Sequence, residues 1–525
     1  MHRPIRGYNP ARWPWRYWSI VIFIFAGFSL YLRLPVAPDP LPDSYTEDIS
    51  ASEPEPTTDD AAALAQLSLD ALLARQSKTL AQAVARYSLK AGRHPPPNFD
   101  KWFSFAREHN CLVDEYDQIL RDFEPFYQVA VNNPTHFQQM IDRGRAQMLQ
   151  EAMGLHPKKQ EAIGLTTISI IAGQPIMPPY RGTHFSKDEL PRTLRKFASV
   201  LPDMEFLLNG RDEPRVVFNH KALGARDNAA NISDPRPFHI TPHHTADFFQ
   251  NQSGCALLSK EKGFISDESP NIAFLRSSSS SDFTTDFWPL LSMTKLSPCF
   301  SDILFPGQYY YRVSRWMLPL PPSDIAWADK SAQLYWRGTS NGGHIIGENY
   351  RFFPRFRLID LARKHPGLIN AKMNRFAGGH CTDACDRERI IAEYNITGPR
   401  APRVEVAKFK YLLDVDGNTF SGRFLTLLKS GSLVFKSTVF EEYFNDWIRP
   451  YEHYIPVRPD LSDLVEKVEW AMAHDDEARR IQTTGKLFTE RVMTDAQNDC
   501  YFAAVLLEWA RLQSYAGTAN VTWPL

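Results

Sequence analysis

The sequence predicts an α/β fold, because three stretches each run from a short apolar strand into a polar or glycine-rich loop. In the first, Met204 to Leu208 is apolar and ends in a loop carrying Asp212. In the second, Leu334-Tyr335-Trp336 enters the loop Arg337-Gly338-Thr339-Ser340-Asn341-Gly342-Gly343, and Arg351 to Leu358 opens a helix behind it. In the third, the strand Tyr411-Leu412-Leu413 is followed by the polar turn Asp414 to Thr419. Helical spacing then resumes from Phe420 to Leu428, with Phe420, Phe424, Leu427 and Leu428 on one face. Gly431 stops that helix before a further strand, Ser432 to Phe435. Loops at the carboxyl ends of parallel strands are where α/β proteins place their chemistry.

A chain of 525 residues, 43% of them hydrophobic, can bury two cores of ordinary size. A net charge of −1 supplies no field that would gather nucleic acid. The abundant Trp, Tyr and Phe suit sugar-stacking surfaces and, more commonly, large cores. Cys111, Cys255, Cys299, Cys381, Cys385 and Cys500 fit an oxidising compartment, with their pairing left open. Sequons at Asn231, Asn251, Asn395 and Asn520 are compatible with a lumenal chain.

From the amino end, Tyr17 to Leu32 is free of charge and bracketed by Arg16 and Arg33, and the apolar run continues over Leu34 to Ala37. Arg3, Arg6, Arg12 and Arg16 precede this run, and Leu34 to Asp60 is rich in acids with no base. The positive-inside rule then predicts a cytosolic tail (1–16), one uncleaved transmembrane anchor (17–35) and a disordered lumenal stem (36–60). Membrane contact is expected through that one helix.

A first α/β domain is expected over 61–325 and a second over 326–498. Residues 499–525 form a last helix and tail, able to pack back on the first domain. Thr58-Asp59 caps a helix predicted to run to about Lys90, with others at Asn98 to Phe103 and Asp114 to Val129. Thr166 to Ile171 reads as the first strand, Ala172-Gly173 opens a loop, and Leu190 to Val200 is helical. Asn219 to Ser281 lacks periodicity and reads as long loops. Its His239, His243 and His244 have no acidic or cysteine partners at ligand spacing. Helices follow at Leu461 to Trp470, Asp475 to Arg491 and Asp499 to Leu512.

The two late loops suit phosphate. Glycine admits the backbone to phosphate oxygens, and Arg337, Thr339 and Arg423 supply donors beside a helix start. An ordinary crossover is the commoner meaning of either pattern alone; Arg423 on a face otherwise buried keeps a phosphate site in play. Glu441 and Glu442 fall about twenty residues past the second loop, where nucleotide-binding α/β units meet ribose. Asp414-Val415-Asp416 has the spacing with which some sugar transferases hold manganese; its late place in the chain makes Asp416 a turn residue instead.

Lys410-Tyr411-Leu412, Asp416-Gly417-Asn418, Ser421-Gly422-Arg423-Phe424 and Ser430-Gly431-Ser432-Leu433-Val434 resemble glycosyltransferase family 90. That family includes Rumi-type protein O-glucosyltransferases and fungal capsule xylosyltransferases. Arg93 to Ala106, Asp302 to Pro306, the Trp336-Arg337-Gly338 loop and His453 to Val457 resemble it too. The resemblance implies a GT-B architecture of two facing Rossmann-like domains and an inverting, metal-independent transfer from UDP-xylose or UDP-glucose. The acceptor would be a hydroxyl of a glycan, glycolipid or glycoprotein.

Through the motif Asn209-Gly210-Arg211-Asp212, the resemblance makes Asp212 the catalytic base, expected to stay ionised beside Arg211. It makes Arg337, Gly338, Thr339, Ser340, Asn418, Thr419, Phe420, Ser421, Gly422 and Arg423 the donor site, with no metal or other cofactor; Glu441, by its spacing, is expected toward the ribose. The anchor, the acidic stem and the ending Trp523-Pro524-Leu525 favour glycan or glycolipid acceptors and the Golgi, with the ER second. The alternatives are a lumenal carbohydrate-binding scaffold without turnover, and a metal-dependent transferase using Asp414 and Asp416.

Overall fold

The computed structural model describes residues 58–132, 135, 139, 142, 165–177, 189–216, 238–239, 282–283, 289–296, 300–311, 325–343, 345, 347–377, 381 and 385–517. The anchor, most of the stem, most of the Asn219 to Ser281 loops, and His243 and His244 lie outside these residues. Among the described residues no helix is long and apolar enough to cross a membrane.

The predicted single helix over Thr58 to Lys90 is two, α1 (Thr58–Ala74) and α2 (Leu80–Ala91). Local chemistry breaks it. Thr79 and Gln82 form a capping box, and the Gln76 side chain accepts from the amides of Val113 and Asp114. Helices α3 (Phe99–Glu108) and α4 (Asp117–Asn132) complete an amino-terminal helical layer.

Strands β1 (Leu165–Ile171), β2 (Gln174–Ile176) and β3 (Met204–Asn209) follow, with helix α5 (Glu189–Arg195) before β3. Ala172-Gly173 is a tight hairpin rather than the start of a long loop. Both residues have positive φ, 49° and 71°, which matches the twist of a two-residue antiparallel turn. Strands β4 (Phe238–His239) and β5 (Asp282–Phe283) pair with each other. The first sheet has the order β2-β1-β3-β6-β7, with β6 (Leu291–Ser292) and β7 (Ile303–Leu304). It is antiparallel across β2-β1-β3 and parallel across β3-β6-β7.

The second sheet is wholly parallel, in the order β12-β11-β10-β8-β9. Its strands are β8 (Ser331–Thr339), β9 (Ile369–Arg375), β10 (Phe409–Val415), β11 (Leu433–Ser437) and β12 (Ile455–Val457). Helices α6 (Pro354–Lys364) and α7 (Arg387–Glu393) flank β9, and α8 (Phe424–Leu428) links β10 to β11. The helical run from Phe420 therefore starts late. Residues 420–423 form a turn, and Arg423 stands at the helix cap rather than in its first turn. Both faces of this sheet are covered, as a parallel sheet requires. Leu334, Trp336, Tyr411, Leu413 and Phe435 enter one apolar cluster, while Tyr335, Leu412 and Val434 enter the cluster shared with the first sheet.

Helices α9 (Leu464–Ala473), α10 (Asp475–Arg491) and α11 (Asp495–Gly517) close the chain. Helix α11 packs on the amino-terminal helices and the first sheet. The Trp102 indole donates to the Cys500 carbonyl, the Trp509 indole donates to that of Glu205, and Cys111 is disulfide-bonded to Cys500. A second disulfide joins Cys381 and Cys385. The molecule is thus mixed α/β, with two sheets rich in parallel pairing.

Candidate active site

Strand order locates the site. From β8 the chain moves outward to β9, then returns to the other side of β8 for β10, β11 and β12. The direction therefore reverses between β8 and β10, and a crevice opens at the carboxyl ends of two such strands. The loops leaving there are Ser340 to Gly343 after β8 and Asp416 to Arg423 after β10.

Arg355, on the first turn of α6, ties these loops together. Its guanidinium donates to the carbonyls of Asp416 (2.8 Å) and Thr339 (3.0 Å) and to Thr339 Oγ1 (3.3 Å). Asn418 Oδ1 accepts from the Gly342 amide at 3.1 Å, a second tie between the loops. Gly342 and Gly343 hold φ of 133° and 146°, which side chains rarely adopt. The Trp336 indole folds under Gly338, so closely that a Cβ there would meet it at 2.4 Å. Ser340 Oγ accepts from the Ala377 amide, and Thr339 donates to Asn341 Oδ1.

Arg337 and Arg423 line one cleft of about 650 Å³, with Tyr335, Arg403, Val406 and Leu412 among its walls. Arg337 lies over the Tyr335 ring and donates to the Asn370 carbonyl and amide oxygens. Arg423 donates through Nη1 to the Arg337 carbonyl at 3.0 Å. Its Nη2 is buried and has no hydrogen-bond partner among the described residues. Burial lowers the Arg423 pKa, against the pull of Asp414. Burial, and then the neighbouring Arg423 charge, bring Arg355 down to about 9. Two adjacent guanidinium groups, one with an unused donor, form a site short of an anion.

Asp212 follows β3 at the corresponding edge of the first sheet. The Tyr309 hydroxyl, in the turn after β7, donates to Asp212 Oδ2 at 3.0 Å. The Tyr309 ring lies against Gly422, where a Cβ would come within 2.9 Å of it, and meets Phe420 edge-on at 5.5 Å. One tyrosine therefore touches both the loop of Asp212 and the loop of Arg423. Asp212 does not keep an ordinary acidity beside Arg211, as the sequence suggested. Burial first, and the charge of Glu213 second, push it up to about 8, while the Tyr309 hydrogen bond pulls it down.

Of the donor residues expected from the sequence, Arg337 and Arg423 line the cleft; Arg355 and the Gly342–Asn418 bond tie the loop after β8 to the turn after β10, and Tyr309 connects Asp212 to Gly422 and Phe420. Glu441 sits elsewhere. Its backbone pairs with Lys295, and its carboxyl lies near Lys295, Asp122 and Arg121, away from the walls of the cleft. Asp414 accepts from Ser421 and lies 3.5 Å from Lys436 Nζ, which is also 3.4 Å from Glu442. Asp416 Oδ2 accepts from the Val439 amide. Among the described residues no three His, Cys, Asp or Glu side chains gather as a metal site would need.

Sequence reasoning missed Tyr309, Glu213 and the reach of Arg355. Glu213 was visible as a second acid beside Asp212; nothing in the pattern placed Tyr309 next to Gly422. A second cleft, of about 530 Å³ and mostly apolar, lies among α2, α3, α4 and α11 and contains none of these residues.

Residues 278–522 match the model of glycosyl transferase family 90. Protein O-glucosyltransferase 2 of Danio rerio is 31% identical over 191 residues, 36% of this chain and 34% of that protein. Protein O-glucosyltransferase 3 of Homo sapiens is 27% identical over 190 residues, again 36% of this chain and 34% of that protein. Protein O-glucosyltransferase 1 of Homo sapiens is 28% identical over 244 residues, 45% of this chain and 59% of that protein. The chain thus spans between 34% and 59% of the length of these curated relatives. Asp212 precedes the stretch matched by the family model.

Proposed function

Because residues 278–522 match the model of glycosyl transferase family 90, we propose that the chain is an inverting glycosyltransferase that moves glucose or xylose from a UDP-sugar to a hydroxyl group. The observation that carries this is the Arg423 guanidinium, buried beside Arg355 with a donor left without a partner among the described residues, where the strand order switches between β8 and β10. A diphosphate supplies the missing acceptor oxygens.

In this reading Arg337, Arg423 and the Thr339 to Gly343 and Asn418 to Gly422 loops bind the diphosphate and stabilise the charge that builds on it. Asp212 takes the acceptor hydroxyl proton. The acceptor oxygen forms its bond to the anomeric carbon from the face opposite the diphosphate. The bond from that carbon to the diphosphate oxygen breaks, and UDP leaves with the electron pair. A general base performs best when its pKa lies near the working pH, and the raised value of Asp212 suits that task.

A GT-B arrangement is supported by the two parallel-rich sheets, with Asp212 on the first and the arginines on the second. Metal independence is supported by the engagement of Asp414 with Ser421 and Lys436 and by the arginines at the crevice. The Cys111–Cys500 and Cys381–Cys385 disulfides suit an oxidising lumen. Together with the charge pattern around residues 17–35, they support a single-pass Golgi or ER protein. The sequence favoured glycan or glycolipid acceptors. The relatives are named for transfer of glucose to protein, which supports a protein hydroxyl alongside those classes.

A panel of UDP-sugars, assayed for UDP release with glycan, glycolipid and peptide acceptors, tests this. The proposal expects release from UDP-glucose or UDP-xylose that is stimulated by one acceptor class and survives a chelator. UDP binding without release under every condition would make the chain a scaffold, and loss of activity in chelator would return Asp414 and Asp416 to a metal role.

A further inference from the structure

We infer that Tyr309 is a positioning residue that ties the diphosphate loop to Asp212, so that the conformation of the loop sets the readiness of the carboxyl to take a proton. This rests on the assignment of Asp212 as the base and goes beyond it, because Tyr309 need touch neither donor nor acceptor to act.

The geometry allows the tyrosine little freedom. It lies in the one-turn segment Gln308–Tyr310 that follows β7. That turn is held by its next residue, since the Tyr310 carbonyl accepts from Asn498 Nδ2 at 2.9 Å and the Tyr310 hydroxyl bonds the buried Glu442. At its start, a Cβ on Gly307 would come within 2.5 Å of the Met293 side chain, so the backbone is pressed against the core. The side chain leaves this fixed base with one end on each loop. Its hydroxyl is on Asp212, and its ring is flush with Gly422 and edge-on to Phe420. Any rearrangement of Phe420 to Arg423 around a diphosphate must either carry the ring along or part from it, and the hydroxyl moves with the ring.

That hydroxyl matters chemically because it is a neutral donor to a carboxylate. It stabilises the ionised form and holds one oxygen in a fixed direction. Among the described residues, Glu213 on its own loop favours the protonated form of Asp212, while Tyr309 from the turn after β7 and a backbone hydrogen bond favour the ionised one. On the other side of the ring, Arg423 adjoins Gly422. The carboxyl is therefore poised between an acid that discourages its charge and a phenol that supports it, and the phenol is in contact with the donor loop.

The test is the pH dependence of kcat/KM for Tyr309→Phe, which keeps the ring on Gly422 and removes the donor. The acidic limb should move upward by about one pH unit, with turnover below the limb falling about tenfold, while UDP affinity and Tm stay at wild-type values. An unshifted limb overturns the inference. Coupling to the loop is read by combining this change with Gly422→Ala, which drives a methyl into the ring. Gly422→Ala should cost less turnover in the Tyr309→Phe background than in the wild type, and strictly additive costs would separate the tyrosine from the loop. If Gly422→Ala does not fold, the single-variant pH profile still decides. Asp212→Asn keeps the two ideas distinct. Activity retained in it removes the base assignment altogether, whereas activity lost in it with a normal Tyr309→Phe profile removes only this inference.

Discussion

The Tyr309 hydroxyl donates to Asp212 Oδ2 at 3.0 Å, and it does so from a turn whose ring face is pressed against Gly422. Through that bond the acid proposed as the base, which follows the first sheet, is held in register with the loop proposed to hold the diphosphate, which follows the second.

The first concerns pH. Asp212 has its pKa raised from the ordinary 3.8 to about 8 in the folded protein. The stability this group contributes is therefore fully present below about pH 4 and is lost as pH rises through 8, because the folded state holds the proton that the unfolded chain releases. Denaturant midpoints of the wild type should fall more steeply between pH 5 and 8 than those of Asp212→Asn. Activity runs the other way, since the base must be ionised, so kcat/KM should rise toward pH 8. Glu213→Gln removes the like charge and should move the acidic limb downward. A limb unmoved in that variant would mean that Glu213 does not set the acidity of Asp212.

The second concerns the donor. Arg423→Ala should weaken UDP binding by roughly 1.5–3 kcal/mol, about ten- to a hundredfold, with the fold intact. Arg423→Lys should recover only part of this, since an ammonium cannot reproduce the planar fork. Calorimetric titration with UDP measures both. Wild-type affinity in the alanine variant would make Arg423 a purely structural residue.

Much of this site was legible as strand, loop and helix. Strands β8, β10 and β11 are apolar runs flanked by glycine-rich or polar turns, and local pattern reports such boundaries well. The crevice between β8 and β10 was not legible, because strand order is a matter of pairing across long separations. The same holds for Tyr309, which stands ninety-odd residues from Asp212 and more than a hundred from Gly422, so no periodicity links the three. The acidity of Asp212 was misjudged for a related reason. Arg211 is its neighbour in sequence, but burial and Glu213 dominate its surroundings. The helix expected from Phe420 began only after Arg423, since Phe420 is drawn into contact with Tyr309 and Tyr310 and Ser421 bonds Asp414. Tertiary contacts there override the helical spacing.

The third prediction concerns the charges beneath the donor loop. Lys436 is buried between Asp414 and Glu442, at 3.5 and 3.4 Å, and lies 3.9 Å over the Phe424 ring. Lys436→Met keeps much of the volume but leaves two buried carboxyl groups without their cation. It should destabilise the protein by about 3–5 kcal/mol, read as a fall in the midpoint of chemical unfolding. Glu442 has its pKa raised well above the ordinary value by burial, so the deficit should shrink as pH is lowered and Glu442 takes up its proton. A loss that is small and independent of pH would mean that the cation is not needed there.

The account turns on Asp212 as the group that takes the acceptor proton, and Asp212→Asn tests it most directly. The side chain keeps its size and much of its hydrogen bonding, including acceptance from Tyr309, and loses only its basicity. Initial rates with a competent UDP-sugar and acceptor, measured beside UDP affinity and Tm, should show turnover lowered about 10²–10⁴-fold with UDP affinity at the wild-type value and Tm no lower than that of the wild type. Turnover near that of the wild type would contradict the account and place the base elsewhere.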